Sequence, residues 1–99
     1  MEDTLKQYIP SQKQTERDWD WIVYIVESEG YTGYQLERIT GIKQGSWYRW
    51  FREGLPSRLR LEHRIELHNV AEYFRRMFPK RYADFVASRG VEEQVSCPG

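Results

Sequence analysis

Apolar residues recur at three- and four-residue spacing along most of the chain. Nowhere do they alternate in twos with hairpin chemistry between them, so the pattern predicts helices and no sheet. Trp19, Ile22, Val23 and Val26 form one stripe of a first helix, which Thr15 and Asp18 are placed to cap and Gly30 stops after about Glu29. Trp21, Tyr24 and Ile25 form a second stripe on that helix, and a helix apolar on two sides wants two partners. Thr32-x-x-Gln35 repeats the capping pattern ahead of Tyr34, Leu36 and Ile39, a two-turn helix ended by Gly41. A third helix runs from Gln44 to about Glu53 and ends at Gly54. Pro56 and Ser57 then supply a turn and a cap for a long fourth, reaching about Met77. Pro79 fits the first turn of a fifth, through Tyr82, Phe85 and Val86 to Ser88, with Gly90 positioned to close it. Residues 1–15 are polar, aperiodic and contain Pro10, so they read as a loosely ordered arm, residues 16–90 as the domain and 91–99 as a tail. The predicted class is all-α with five helices.

Ninety-nine residues leave room for one core. Hydrophobic residues make up 39% and aromatic ones 15%, which argues against a wholly disordered chain. The longest uninterrupted apolar run, Trp21 to Val26, is far short of the roughly 20 residues a membrane-spanning helix requires. The first residues show neither the basic start nor the apolar stretch of a secretion signal, so a cytoplasmic protein is expected. Cys97 is the one cysteine, which excludes an intrachain disulfide and a multi-cysteine metal cage.

The formal net charge is zero, 15 basic against 15 acidic side chains, but the average conceals a strong asymmetry. Residues 1–37 hold three basic and eight acidic groups, whereas residues 38–81 hold eleven basic and four acidic, a local net of +7. A segment this basic can present a positive face to phosphate while the molecule stays neutral. Nine of its eleven cations are arginines, whose planar fork suits phosphate and guanine edges.

Within that segment the third helix places Trp47, Trp50 and Phe51 on one face, which is expected to be core. The opposite face carries Gly45, Tyr48, Arg49 and Arg52, with Gln44 at its amino-terminal edge. Arginine bonds guanine O6 and N7 in pairs, glutamine does the same to adenine, and glycine allows close approach to a groove wall. A short helix, a tight turn containing Gly41 and a second helix with one apolar and one basic face is the helix-turn-helix arrangement.

Here the residues resemble the lambda-repressor-like (Cro/repressor) class of helix-turn-helix proteins. Leu36, Gly41, Ile42, Gln44, Arg49 and Trp50 fall at the family's positions, with Gly54 one place late and Trp47 in a branched-aliphatic slot. Further on, Pro56 followed by Leu67, Val70, Ala71 and Phe74 looks like the family's next helix. The resemblance spans roughly residues 16–78 and implies that Gln44, Gly45, Ser46, Tyr48 and Arg49 lie where relatives contact bases or adjoining phosphates. Three departures stand out. Glu37 replaces a small residue at the crossing of the two short helices. Lys43 replaces the usual Ser or Thr cap, which forfeits capping but adds charge near phosphate. About six extra residues separate Pro56 from Leu67, which implies a longer fourth helix or an added turn, and Arg58, Arg60 and Arg64 are expected to extend the backbone contacts.

The function this implies is a sequence-specific regulator of transcription, a repressor of the phage or bacterial type. It would bind double-stranded DNA as a homodimer, with recognition helices about 34 Å apart. Trp21, Tyr24 and Ile25 are the candidate dimer interface, although the fifth helix can equally cover them. The alternative is a small helical adaptor or inhibitor that binds a protein through the aromatic surface of helix one and the basic face. No phosphate loop, nucleophile elbow or metal-ligand spacing points to an enzyme, a cofactor or a small-molecule substrate. His63 and His68 are about 140 degrees apart on a helix, too far to share a metal, and are expected at the surface.

Overall fold

The computed structural model describes residues 9–89. Residues 1–8 of the expected arm, Gly90 and the expected tail with Cys97 lie outside the described residues. Five helices follow one another: α1 (Gln12–Glu29), α2 (Gly33–Thr40), α3 (Gln44–Glu53), α4 (Leu61–Met77) and α5 (Pro79–Ser88). The all-α class is as expected, and no strand occurs among the described residues.

Helix α1 starts a turn earlier than its sequence suggests. Ser11 rather than Thr15 is the cap, its hydroxyl accepting from the Gln14 N–H at 3.1 Å. Thr15 lies inside the helix, buried, and its hydroxyl donates to the Ser11 carbonyl at 3.0 Å. The buried Pro10 stands just before the cap and Thr15 four residues into the helix, the two positions of a hydrophobic staple. Segment 9–15 therefore belongs to the folded unit and not to an arm. Gly30, at φ 76°, closes α1 in the left-handed conformation that only glycine adopts cheaply.

Helix α4 also departs from expectation, beginning at Leu61 and not near Ser57. Residues 54–60 form the connection, held down by the buried Leu59 and the half-buried Leu55. Of the two outcomes open to the extra length, the added turn is the one found: it becomes an anchored connection and not additional helix.

Helix α1 packs on α4 and α2 on α3, and α5 folds back over both α4 and α1. One core joins Ile22, Ile25 and Val26 of α1 to Leu36, to Trp47 and Trp50, and to Leu67, Val70 and Phe74 of α4. The Trp21 indole N–H donates to the Ala71 carbonyl at 3.0 Å, a buried bond tying α1 to α4. Tyr82 and Phe85 of α5 close over the Trp21 ring at 5.0 and 5.5 Å, and Phe85 lies 5.3 Å from Tyr24. Trp21 and Ile25 are buried within the chain and Tyr24 is half-buried, so the stripe expected at a dimer interface is covered by α5 instead. A second stripe on α1 and an amphipathic α5 satisfy each other at no translational cost, which a second subunit could not match.

Neither histidine is a plain surface residue. His63 sits edge-on to Trp50 at 5.2 Å. His68 Nδ1 lies 3.0 Å from Asp18 Oδ2, while the Gln14 amide donates to Asp18 Oδ1 at 2.9 Å. Burial pushes the Asp18 carboxyl above its ordinary 3.8, and the bonds from His68 and Gln14 pull it back only in part. A raised carboxyl value means that the folded state holds the proton better than the unfolded one. This contribution to stability is complete below pH 3.8 and is lost as pH rises through the folded value. Asp18→Asn should therefore gain on the parent chain as pH rises from 4 to 7, read as the difference in urea midpoints. A difference that is flat or falls with pH would contradict the assignment.

Candidate nucleic-acid interface

The two short helices are built locally. Thr32 and Gln35 form a complete capping box at the start of α2, the Thr32 hydroxyl accepting from the Gln35 N–H at 3.1 Å and the Gln35 amide oxygen from the Thr32 N–H at 2.9 Å. Gly41, at φ 83°, ends the helix. The turn to α3 takes three residues, and its centre is Ile42, buried in the core. Thr40 secures this turn, its hydroxyl donating to the Leu36 carbonyl and accepting from the Ile42 N–H at 3.1 Å. An apolar anchor at the apex and hydrogen bonds on either side set the angle at which α3 leaves.

Helix α3 turns Trp47 and Trp50 inward, at 0% and 1% exposure. Gln44, Gly45, Arg49 and Arg52 lie exposed on the other side, together with Lys43 just before the helix, and Ser46 is half-buried. Phe51 corrects the expected inner face: it is 37% exposed and stacks on Trp19 at 5.1 Å and on Trp47 at 5.9 Å. One helix face is narrower than three aromatic rings, so the outermost spills over the edge.

Tyr48 is exposed, but its ring rests on Gly33 at the start of α2. A Cβ built on that glycine would meet the Tyr48 Cζ at 2.8 Å. Absence of a side chain at residue 33 is what admits the ring, so Tyr48 leans toward α2. Gly45 has open space around it.

Arg49 makes no ion pair among the described residues, and Arg52 meets only the neighbouring, exposed Glu53 at 3.3 Å. Such a pair is worth little in water and leaves the guanidinium available. Arg58 is exposed on the 54–60 connection without a partner among the described residues, and Arg60 pairs with Glu62 at 3.1 Å in the open. Arg64 departs from expectation: it turns inward and donates through Nε (3.1 Å) and Nη2 to the Pro10 carbonyl. Its role is to hold the chain ahead of α1 against α4, and it adds nothing to an outer cationic surface.

The capping role of Glu37 is what sequence reasoning missed. Lys43 gives α3 no side-chain cap, and the carboxylate of Glu37, one helix away, accepts from the Gln44 N–H at 3.0 Å. The signal was present as an acidic residue one helical face before a capless start, seven positions upstream of Gln44. Where a small residue would let the helices cross more closely, Glu37 supplies the missing cap and puts negative charge at the positive end of the α3 dipole. Glu37→Ala should cost about 1 kcal/mol, the usual worth of such a cap, and lower the melting temperature by about 4–8 °C. An unchanged melting temperature would show that the bond contributes nothing.

Among the described residues no group of His, Cys, Asp and Glu is placed to hold a metal ion, and no helix is long and apolar enough to cross a membrane. No family model matches the chain, and no curated protein and no solved structure matches it.

Proposed function

We propose that the chain is a sequence-specific, double-stranded-DNA-binding regulator of transcription that lays α3 in the major groove. One observation carries the reading: α3 buries both tryptophans and leaves Gln44, Gly45, Arg49 and Arg52 on the opposite, exposed face. Those side chains are the ones whose donor and acceptor patterns match guanine and adenine edges, and a glycine among them lets the helix approach closely. Lys43 and Arg58 flank the helix in sequence with charges for the phosphate backbone. Because Glu37 already occupies the first free amide of α3, the helix terminus is a poorer phosphate site than usual, and phosphate contact falls to these cations. Repression is the action such binding gives when the site overlaps a promoter. A homodimer reading a pseudo-palindrome would join through a surface other than the Trp21 stripe.

The test is a titration of duplex DNA of mixed sequence at several salt concentrations, followed by selection from random duplexes. Binding should weaken steeply with salt, the slope of log K against log salt being about −0.9 per phosphate neutralised, and selection should converge on one short motif. No binding to any duplex at low salt would end the proposal.

A further inference from the structure

A cleft of about 860 Å³ runs beside α1, on the side of α3 that Tyr48 and Phe51 occupy, within the range of about 300–1,000 Å³ that accommodates small organic ligands. Its walls are unusually aromatic: Trp19 and Tyr24 from α1, Tyr31 from the α1–α2 turn, Tyr48 and Phe51 from α3, and Phe85 from α5. Two of them remain more than a third exposed even though the Tyr48 ring rests on Gly33 and Phe51 stacks on Trp19.

The charge around these rings is acidic. Glu16, Asp20 and Glu27 follow one stripe of α1, four and seven residues apart. Asp20 and Glu27 border the cleft, and Glu16 borders a smaller neighbouring one that shares Trp19, Asp20 and Gly54 with it. Glu27 is exposed and has no partner among the described residues. The one cation on the wall, Arg89, already shows the chemistry the cleft favours. It pairs with Asp20 at 3.2 Å, and its guanidinium carbon lies 5.4 Å from the centre of the Phe85 ring. Arg89 is engaged by Asp20, and Glu27 adds a negative charge at the rim.

Rings with negative faces and a free carboxylate at the rim attract a positive charge carried on an apolar body. Anions of the same shape are repelled. We propose that this cleft is a binding site for a lipophilic aromatic cation, held by the faces of Trp19, Tyr48 and Phe51 and by the carboxylate of Glu27. Nothing in this recognition depends on a nucleic acid, so it stands or falls separately from the DNA reading.

Tetraphenylphosphonium and tetraphenylborate have nearly the same shape and opposite charge, which makes them the probes of choice. Calorimetry of the full chain, with indole fluorescence as a second readout, should show saturable one-to-one binding of the phosphonium. The borate should bind at least about tenfold more weakly. Glu27→Gln, an exposed substitution that leaves the core intact, should weaken the phosphonium about two- to fivefold, and Glu27→Lys further, with a gain for the borate. Equal or tighter binding of the borate would overturn the proposal. So would failure of the phosphonium to saturate, or self-association of the chain that a bulky Val23→Trp substitution in the cleft abolishes, since a second copy would then be the occupant.

Discussion

Trp50→Ala should lower the free energy of unfolding by about 3–5 kcal/mol, read as a shift of the urea midpoint followed by far-ultraviolet circular dichroism. Trp50 is 1% exposed and stands where three helices meet. Its ring lies edge-on to Trp19 of α1 at 6.1 Å, to Trp47 of α3 at 5.7 Å and to His63 of α4 at 5.2 Å. Removing it opens a cavity whose walls belong to separate elements and cannot easily collapse. A domain of this size holds only about 5–15 kcal/mol in all, so the variant should sit near the edge of folding. Trp47→Phe provides the contrast. Trp47 is fully buried, but its indole N–H finds no acceptor among the described residues. Deleting that unpaired donor recovers part of what the lost ring area costs, and the loss should be less than half that of Trp50→Ala. A Trp50→Ala midpoint indistinguishable from the parent would mean that the inner face of α3 is not core, and the outward placement of Arg49 would lose its basis.

Arg49→Ala and Arg52→Ala should each weaken binding to the selected duplex by about 1–3 kcal/mol where the arginine grips a guanine edge. Where it grips phosphate instead, each should flatten the salt dependence by about one unit. Neither should change the melting temperature by much, because both side chains are exposed and the Arg52–Glu53 pair is a solvent-screened neighbour contact. Arg64→Ala is expected to behave in the opposite way, lowering stability through loss of its grip on the Pro10 carbonyl while leaving the salt dependence of binding alone. Measuring melting temperature and duplex affinity on all three separates cations that face outward from one that has been folded in. If Arg64→Ala reduced affinity at unchanged stability while Arg49→Ala did nothing, the face assigned to DNA would be the wrong one.

Local signals were legible wherever they were self-contained. The capping box of Thr32 and Gln35, the left-handed glycines at 30 and 41, and Pro79 in the first turn of α5 all sit where the residue types dictate. In each, the decisive atoms lie within four residues of one another. Thr15 misled because Ser11 carries the same hydroxyl one turn earlier, and the choice between them falls to tertiary contacts: Pro10 is buried and Arg64, 54 residues away, holds its carbonyl. Phe51 misled because helical periodicity assigns a direction and not the depth of the neighbour it meets.

The candidate face divides in the same way. That α3 would have two unlike sides follows from the order of Trp47, Arg49, Trp50 and Arg52, since a period of 3.6 residues must separate them. Which cations stay outside does not follow from order, and neither does the cap on α3. Arg64 and Arg58 look alike in sequence, yet one donates to a carbonyl of a distant segment and the other stays exposed. Glu37 reaches Gln44 only because the turn around the buried Ile42 brings α2 beside the start of α3. The same holds for the second stripe of α1, where Trp21 and Ile25 needed a partner by composition, and only the return of α5 decided that the partner is the chain itself. Periodicity and capping act over a single helical turn and can be written into adjacent residues. Burial of a particular side chain depends on which surfaces meet across fifty residues of chain, and that was settled by packing.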